Sequence, residues 1–276
     1  MYASDLALTG EYPPAIYRGI EDIARAIAAL TERLERQNVS QYLSYKPVTP
    51  EDFDYIEQNR DELGSTVRLT YYEKINTLIV KIPTPEFEIA HVNIGLETYG
   101  QLRSMNIPRV FEGLGARRCK GHNSSKEADS SYKNYLIRPG TTAWPTFVIE
   151  SGVSESWERL KMDVSWWIAE SRGTVNLILL VKVKLEDKSI LIEKYVPKVR
   201  KYPYTRSQTS TEPHYVPELV SQTEIRCAET PRRVSGAIPL VLGFEDLMDR
   251  PPVTPEKDVE FDVDSLQGLG GFVFPP

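Results

Sequence analysis

Apolar positions recur at helical spacing near the start of the chain. Residues 15–37 carry this pattern at Ile20, Ile23, Ile27, Leu30 and Leu34. The pattern predicts an amphipathic helix that packs on the body of the chain, with a role as a partner helix as the alternative. Residues 49–52 combine an N-cap threonine, a proline in the first turn and two acidic residues. They predict the start of a second helix, which should end near Leu63.

Two strands and a third helix follow in the predicted order. Residues 66–71 alternate between polar and apolar side chains, residues 77–82 are mostly apolar, and residues 73–76 form the turn between them. Residues 84–85 repeat the cap-and-proline start of a helix, which we predict to reach about Met105. The apolar stripe expected to face the core consists of Ile89, Val92, Leu96 and Leu102.

The middle of the chain contains a polar segment, a strand and another helix. Residues 113–131 are rich in glycine, serine and charged side chains, which is typical of strand edges and loops. Residues 147–149 are aromatic and β-branched, and they predict a short buried strand. Ser151-Gly152 should turn the chain into a helix over residues 156–171. The tryptophans of that helix are more typical of a core than of a surface that stacks on bases.

The remaining segments complete an α/β pattern. Residues 175–184 and 189–195 predict a hairpin, whereas residues 197–235 contain several prolines and predict an irregular excursion. The last strand is expected over residues 238–242. We therefore predict a central mixed sheet flanked by helices. The predicted regions are an N-terminal helical region (1–64), an α/β core (65–262) and a C-terminal tail (263–276).

Composition narrows the class of protein. The 276 residues, 41% hydrophobic and 26% charged, suffice for a full globular core. The two cysteines, Cys119 and Cys227, provide neither a disulfide framework nor a metal-binding spacing, so we expect an intracellular location, cytoplasmic or nuclear. No apolar run reaches membrane-spanning length, and the N-terminus lacks the pattern of a signal peptide. The net charge of −6 argues against non-specific coating of nucleic acid but allows a local basic groove.

Carboxylates in three segments suggest a metal site. Glu150 follows the apolar run of residues 147–149, where a carboxylate is costly to bury without a proton, a metal or a cationic partner. Asp129 lies in the polar segment before that strand, and a carboxylate of the helix after Pro85 can join them. Two or three such groups suffice for Mg²⁺, which retains several waters. The ion would polarise a phosphoryl oxygen and activate water, while a nearby lysine neutralises the growing charge.

Four segments within residues 66–262 carry a resemblance to a known superfamily. They are YYEKINTLIVKIPTPEFEIAH, KEADSSY, WPTFVIESGVSES and IPLVLGFEDLMDRPP. Together they resemble the PD-(D/E)XK, or restriction-endonuclease-like, superfamily, and more closely a group of fungal proteins with a variant of that core. The resemblance implies a restriction-endonuclease-like fold. It implies that Asp129 is the aspartate of the PD element, with Ala128 in place of the proline, and that Glu150 is the acidic residue of the (D/E)XK element.

The resemblance also implies the rest of the site. Glu88 would be the helix carboxylate that completes the metal site. Gly152 stands where the superfamily has its lysine. In some members this cation migrates to the following helix, where Lys161 is the first candidate and Arg159 the second.

These features lead to three functional hypotheses. The leading one is a nuclease that binds Mg²⁺ or Mn²⁺ through Asp129, Glu150 and Glu88 and hydrolyses phosphodiester bonds of nucleic acid, with Lys161 stabilising charge. The second is a catalytically inactive nuclease fold that binds nucleic acid or a protein, because the usual lysine is missing and the net charge is acidic. The third is an assembly protein that forms a homo-oligomer through the helix at residues 15–37 and the apolar tail. No membrane partner is expected.

Overall fold

The structure is a computed structural model that describes residues 13–153, 157–200 and 213–275. Its helices are α1 (Ile20–Leu34), α2 (Pro50–Gln58), α3 (Pro85–Ser104), α4 (Trp157–Glu170), α5 (Phe244–Met248) and α6 (Val263–Val273). Its strands are β1 (Ala15–Ile16), β2 (Tyr42–Lys46), β3 (Arg68–Tyr72), β4 (Thr77–Lys81), β5 (Phe111–Gly113), β6 (Arg118–Lys120), β7 (Ser124–Glu127), β8 (Ser130–Asn134), β9 (Phe147–Val153), β10 (Leu177–Lys184), β11 (Ser189–Arg200), β12 (His214–Arg226), β13 (Arg233–Gly236), β14 (Leu240–Leu242) and β15 (Val259–Phe261). Short 3-10 turns occupy Arg60–Leu63 and Glu73–Ile75.

Two mixed sheets form most of the molecule. The seven-stranded sheet has the order β13-β12-β11-β10-β9-β8-β5, in which β9 and β10 are parallel and the other neighbours are antiparallel. The six-stranded sheet has the order β1-β2-β4-β3-β7-β6, in which only β1 and β2 are parallel. A short pair, β14 and β15, completes the set. The predicted class, an α/β fold with mixed sheets and flanking helices, is confirmed.

Strands β9 and β10 are buried because helices cover both faces of their sheet. Phe147, Ile149 and Leu179 belong to one core cluster with Ala90 and Ile94 of α3. The alternating side chains of the same strands join α4 in a second cluster, which contains Val148, Ile178, Leu180, Leu160 and Trp167. A continuous apolar run is what a strand with two covered faces requires. Along the chain this unit runs α3, β5, β8, β9, α4 and β10.

The first three predicted helices are confirmed by α1, α2 and α3, although α2 ends at Gln58 and a 3-10 turn, Arg60–Leu63, occupies the rest of its predicted span. Thr49 caps α2 with a capping box: its hydroxyl accepts from the backbone N–H of Asp52, and the Asp52 carboxylate accepts from the backbone N–H of Thr49. The apolar face of α1 is buried against the six-stranded sheet of the same chain, as predicted.

Strand β9 corrects the turn predicted at Ser151-Gly152. The strand continues to Val153 and pairs with β10 in parallel up to Val183. Since Gly152 lies inside this ladder, it is a small residue in a strand and not a turn residue. Glu150 consequently lies in the middle of a buried strand instead of at its end.

The apolar stripe predicted for α3 is wrong at three of its four positions. Ile89, Val92 and Leu96 are 37%, 41% and 63% exposed, and of the four only Leu102 is buried. The helix buries Ala90 and Ile94 against the sheet instead. Apolar residues occur around much of this helix, so its periodicity does not select the face that contacts the sheet.

The irregular excursion predicted over residues 197–235 is also wrong for the part that the structure describes. β11 extends to Arg200 and pairs with β12 in a long antiparallel ladder, and β13 adds to it. Pro197 lies opposite Pro217, so two residues without an N–H donor share one position of the ladder. Residues 201–212 lie outside the described residues.

The regions predicted at the two ends contribute to these layers. Residues 1–64 supply β1 and β2 to the six-stranded sheet. Residues 263–276 include α6, whose Leu266, Leu269 and Val273 are buried in the cluster that covers the seven-stranded sheet. The division into three regions stays a prediction. Among the described ranges, no helix is both long enough and apolar enough to cross a membrane.

Candidate active site

The structure brings the carboxylates of Asp129 and Glu150 together. Asp129 directly precedes β8, and Glu150 lies in β9. Ser130 pairs with Ile149 across these two antiparallel strands. Asp129 and Glu150 are the next residues beyond this pair, one on each chain segment, and therefore lie side by side. They are 2% and 0% exposed, respectively. Two of the three predicted metal ligands therefore lie side by side inside the protein.

Lys81 places its ammonium group between these acids. It ends β4 of the six-stranded sheet, and its Nζ lies 2.5 Å from Oδ2 of Asp129 and 3.7 Å from Oε2 of Glu150. Its Nζ also donates a hydrogen bond to the backbone carbonyl of Ser151 at 2.7 Å. The lysine is buried as completely as its partners. The ammonium group of Lys81, from the six-stranded sheet, thus contacts oxygens of Asp129, Glu150 and Ser151.

Asp129 is held as a charged group. Its Oδ2 accepts hydrogen bonds from the backbone N–H of Ser151 at 2.7 Å and from the Ser151 hydroxyl at 3.1 Å. Burial by itself raises the pKa of Asp129, but the Lys81 ammonium, His91 and these hydrogen bonds lower it to about 2. Asp129 is therefore ionised over the whole neutral range.

Glu150 has the opposite balance. The indole Nε1 of Trp167 donates a hydrogen bond to its Oε1 at 2.5 Å, and the Nζ of Lys126 lies 3.4 Å from the same oxygen. Burial raises the pKa of Glu150 to about 7; Lys126 opposes that rise, whereas Asp129 and Asp163 add to it. A carboxyl group that titrates near neutrality is typical of functional sites, although structural ion-pair networks produce it as well.

The charges extend from Glu150 towards α4. Lys126 of β7 also contacts Asp163 of α4, with 2.9 Å between Nζ and Oδ1. Nη2 of Arg159 lies 3.5 Å from the same oxygen. We call the six side chains together the buried charge cluster: Lys81, Lys126, Asp129, Glu150, Arg159 and Asp163. With all groups ionised, its three carboxylates balance its three cations.

Glu88 lies at the edge of this cluster. It is in the first turn of α3, its side chain is about one-third exposed, and its Oε1 accepts a hydrogen bond from Nη2 of Arg68 at 3.0 Å. Its Oε2 lies 3.4 Å from Nε2 of His91, and Nδ1 of His91 is 2.8 Å from the hydroxyl of Ser130. His91 therefore links Glu88 to the residue that follows Asp129. Within the described residues, no three His, Cys, Asp or Glu side chains meet closely enough to hold a metal.

The lysine of the (D/E)XK element has two positions to consider in this chain, Lys161 and position 152. The Nζ of Lys161 lies 5.9 Å from the ring centroid of Trp157, while the structure places Lys81 and Lys126 at the carboxylates. A Cβ on Gly152 would lie 3.0 Å from Cδ2 and 3.1 Å from Cδ1 of Leu160 in α4. A lysine at position 152 would therefore press against the helix that covers the strand. Arg159, the second candidate, belongs to the buried charge cluster.

The donor atoms suit a divalent cation held by two carboxylates. Oδ1 of Asp129 and Oε2 of Glu150 are buried and accept no hydrogen bond from the described residues. The carbonyl oxygen of Ser151 faces the same place, since Lys81 binds it together with both acids. Carboxylate and carbonyl oxygens are the ligands that Mg²⁺ and Ca²⁺ use. Asp129 and Glu150 would hold such an ion, with Glu88 beyond His91.

Sequence reasoning missed Lys81, Lys126 and the hydrogen bond from Trp167. A signal for Lys81 was present, because it ends the apolar strand Thr77–Lys81, where a lysine needs a buried partner. Lys126 lies three positions before Asp129, in a segment read as a polar loop. It is buried because β7 pairs with β3 inside the six-stranded sheet.

Comparisons with known proteins add little to this geometry. No family model matches the chain, and no curated protein matches it. One solved structure that is similar is described as that of a candidate nuclease of the DUF820 family from Anabaena variabilis ATCC 29413. It is 9% identical, with a TM-score of 0.38, over 73% of this chain and 90% of that one. Values this low assign no activity, and the function has to be argued from the site itself.

Proposed function

We propose that this chain is a nuclease-like protein that binds Mg²⁺ or Mn²⁺ through Asp129 and Glu150 and hydrolyses phosphodiester bonds. The observation that supports the proposal is the pair of buried carboxylates at β8 and β9, each with one oxygen that accepts no hydrogen bond from the part of the chain that the structure describes. The order of helix, antiparallel strands, helix and parallel strand around them agrees with the resemblance to the PD-(D/E)XK superfamily.

The chain's own residues have separate roles in this proposal. A bound divalent ion would supply Lewis-acid activation of a phosphoryl oxygen. Ser151 orients the carboxylate of Asp129, and Trp167 orients that of Glu150. The ammonium group of Lys126 would stabilise negative charge on the phosphate, which is the role predicted for Lys161. Glu88 is the more exposed member of its ion pair with the buried Arg68, and a substrate would approach from the side of Glu88.

A cleavage assay tests the proposal. The purified protein is incubated with Mg²⁺ or Mn²⁺ and single- or double-stranded DNA or RNA. We expect Asp129→Asn and Glu150→Gln to lower the cleavage rate at least about 100-fold, since each removes a charge from the metal site. Glu97→Gln is the control, because Glu97 is an exposed acid later in α3 that bonds Gln101. Equal rates for the wild type and Glu150→Gln would refute the assignment of the site.

A second function, a catalytically inactive nuclease fold that binds nucleic acid or a protein, is favoured by a specific observation. The three cations of the buried charge cluster already neutralise its three carboxylates. Such a network can stabilise the fold without any ion. This alternative predicts no Mn²⁺ binding in calorimetry. Micromolar binding that is lost in Asp129→Asn, together with Mn²⁺-dependent cleavage, would rule it out and leave the nuclease.

A further inference from the structure

The position of the Lys81 ammonium group is that of a bound cation. Its three oxygen neighbours come from Asp129, Glu150 and the backbone carbonyl of Ser151, at 2.5, 3.7 and 2.7 Å. Two of these residues are consecutive in β9, and the third, Asp129, directly precedes the adjacent strand β8. The ammonium group is therefore enclosed by the same oxygens that would hold a divalent ion.

Two cations cannot share this place at low cost. The ammonium of lysine is a compact point charge with three donors. A divalent ion within a few ångströms of it would be strongly repelled, because the surroundings are buried and screen charge poorly. Both would also compete for the same lone pairs of Asp129 and Glu150.

We infer that the ammonium of Lys81 occupies the cation position of the site, so that a divalent ion binds only when Lys81 is displaced. Lys81 is then a positioning and inhibitory residue of the resting protein. The inference rests on the proposed function for the choice of Asp129 and Glu150 as ligands. It adds that the protein carries its own competitor for the metal.

Lys126 provides a matched comparison. It is equally buried and carries the same charge, but its nearer partner is Asp163 at 2.9 Å, and it approaches Oε1 of Glu150 at 3.4 Å. Lys81 instead approaches Oε2 of Glu150, the oxygen that accepts no hydrogen bond within the described ranges. Removal of either lysine lowers the positive charge by one unit, yet only removal of Lys81 clears the place between Asp129 and Glu150.

The experiment is a titration of the full-length protein with MnCl₂ in a calorimeter, without nucleic acid. We expect the dissociation constant of Lys81→Met to be at least about tenfold lower than that of the wild type. Lys126→Met should change it by less than about threefold, as expected from net charge alone. The gain should disappear in Lys81→Met combined with Asp129→Asn. No gain in Lys81→Met, or an equal gain in Lys126→Met, would overturn the inference.

Lys81→Gln is a second variant for the case that Lys81→Met does not fold. Its amide can donate a hydrogen bond to Asp129, but it carries no charge. It should also bind Mn²⁺ more tightly than the wild type, and Mn²⁺ should raise its melting temperature more. The absence of both effects in a folded Lys81→Gln protein would count against Lys81 as the competitor.

The outcomes separate this inference from the proposed function. A gain in Mn²⁺ affinity in Lys81→Met, with no cleavage by any variant, supports the inference and removes the nuclease. Mn²⁺-dependent cleavage by the wild type, with no gain in Lys81→Met, supports the nuclease and removes the inference.

Discussion

The raised pKa of Glu150 predicts that this residue makes the protein less stable as the pH rises. Its carboxyl group is completely buried, and burial raises its pKa from the ordinary 4.5 to about 7. The folded protein therefore binds this proton more tightly than the unfolded chain does. Above the unfolded pKa, the free energy of unfolding falls with pH until the folded pKa is passed.

The size of this effect follows from the pKa shift. Because one pKa unit corresponds to about 1.36 kcal/mol, Glu150 should lower the free energy of unfolding by about 2 to 3 kcal/mol between pH 5 and pH 8. In Glu150→Gln the residue cannot ionise, so this part of the pH dependence should vanish. Relative to the wild type, the variant should gain about 2 to 3 kcal/mol between the two pH values.

Urea denaturation followed by tryptophan fluorescence measures the effect, since Trp167 donates a hydrogen bond to Glu150. Asp249→Asn is the control, because Asp249 lies outside the buried charge cluster and hydrogen bonds from Arg138 and Asn176 lower its pKa below the ordinary value. Its carboxylate is ionised at both pH values, so its loss should change the free energy of unfolding by the same amount at pH 5 and pH 8. If the free energy of unfolding of Glu150→Gln differs from that of the wild type by the same amount at pH 5 and pH 8, the pKa of Glu150 in the folded protein is not raised towards neutrality.

Four further substitutions test packing and capping by urea denaturation. Gly152→Lys should lower the free energy of unfolding by about 1–3 kcal/mol, because the new side chain presses on Leu160, and its cleavage rate should not exceed that of the wild type. A variant as stable as the wild type that cleaves faster would contradict this. Gly95→Ala should cost about 1–3 kcal/mol through a clash with Tyr132. Gly100→Ala of the same helix, with no described atom within 4 Å of the added Cβ, should gain about 0.5–1 kcal/mol, so equal effects would be inconsistent. Thr49→Ala should cost about 1 kcal/mol by removing the capping box, and no loss would contradict the cap.

Local patterns were sufficient for much of the fold and part of the site. The cap-and-proline starts at Thr49 and Thr84 predicted helices that begin at Pro50 and Pro85. The apolar run at residues 147–149 predicted a buried strand, and Glu150 stood out as a charge beside it. These predictions succeeded because the signals depend on residues a few positions apart, although only Thr49 caps its helix and the Thr84 side chain makes no capping hydrogen bond.

Other features depend on contacts between distant segments. Lys81 meets Asp129 and Ser151 across 48 and 70 positions of the chain. The apolar strand Thr77–Lys81 indicates that Lys81 needs a partner, but which residues supply that partner is decided only by the approach of the two sheets. The same holds for α3, which buries Ala90 and Ile94 instead of the more apolar-looking stripe because the position of the sheet selects the face.

The sequence by itself determined where most helices and strands lie and which two carboxylates, Asp129 and Glu150, deserve attention, since these properties are encoded in neighbouring residues. The tertiary structure decided which cations meet those carboxylates and how their pKa values separate. Burial strengthens each charge–charge interaction, and the distances that set its strength exist only once the two sheets have packed.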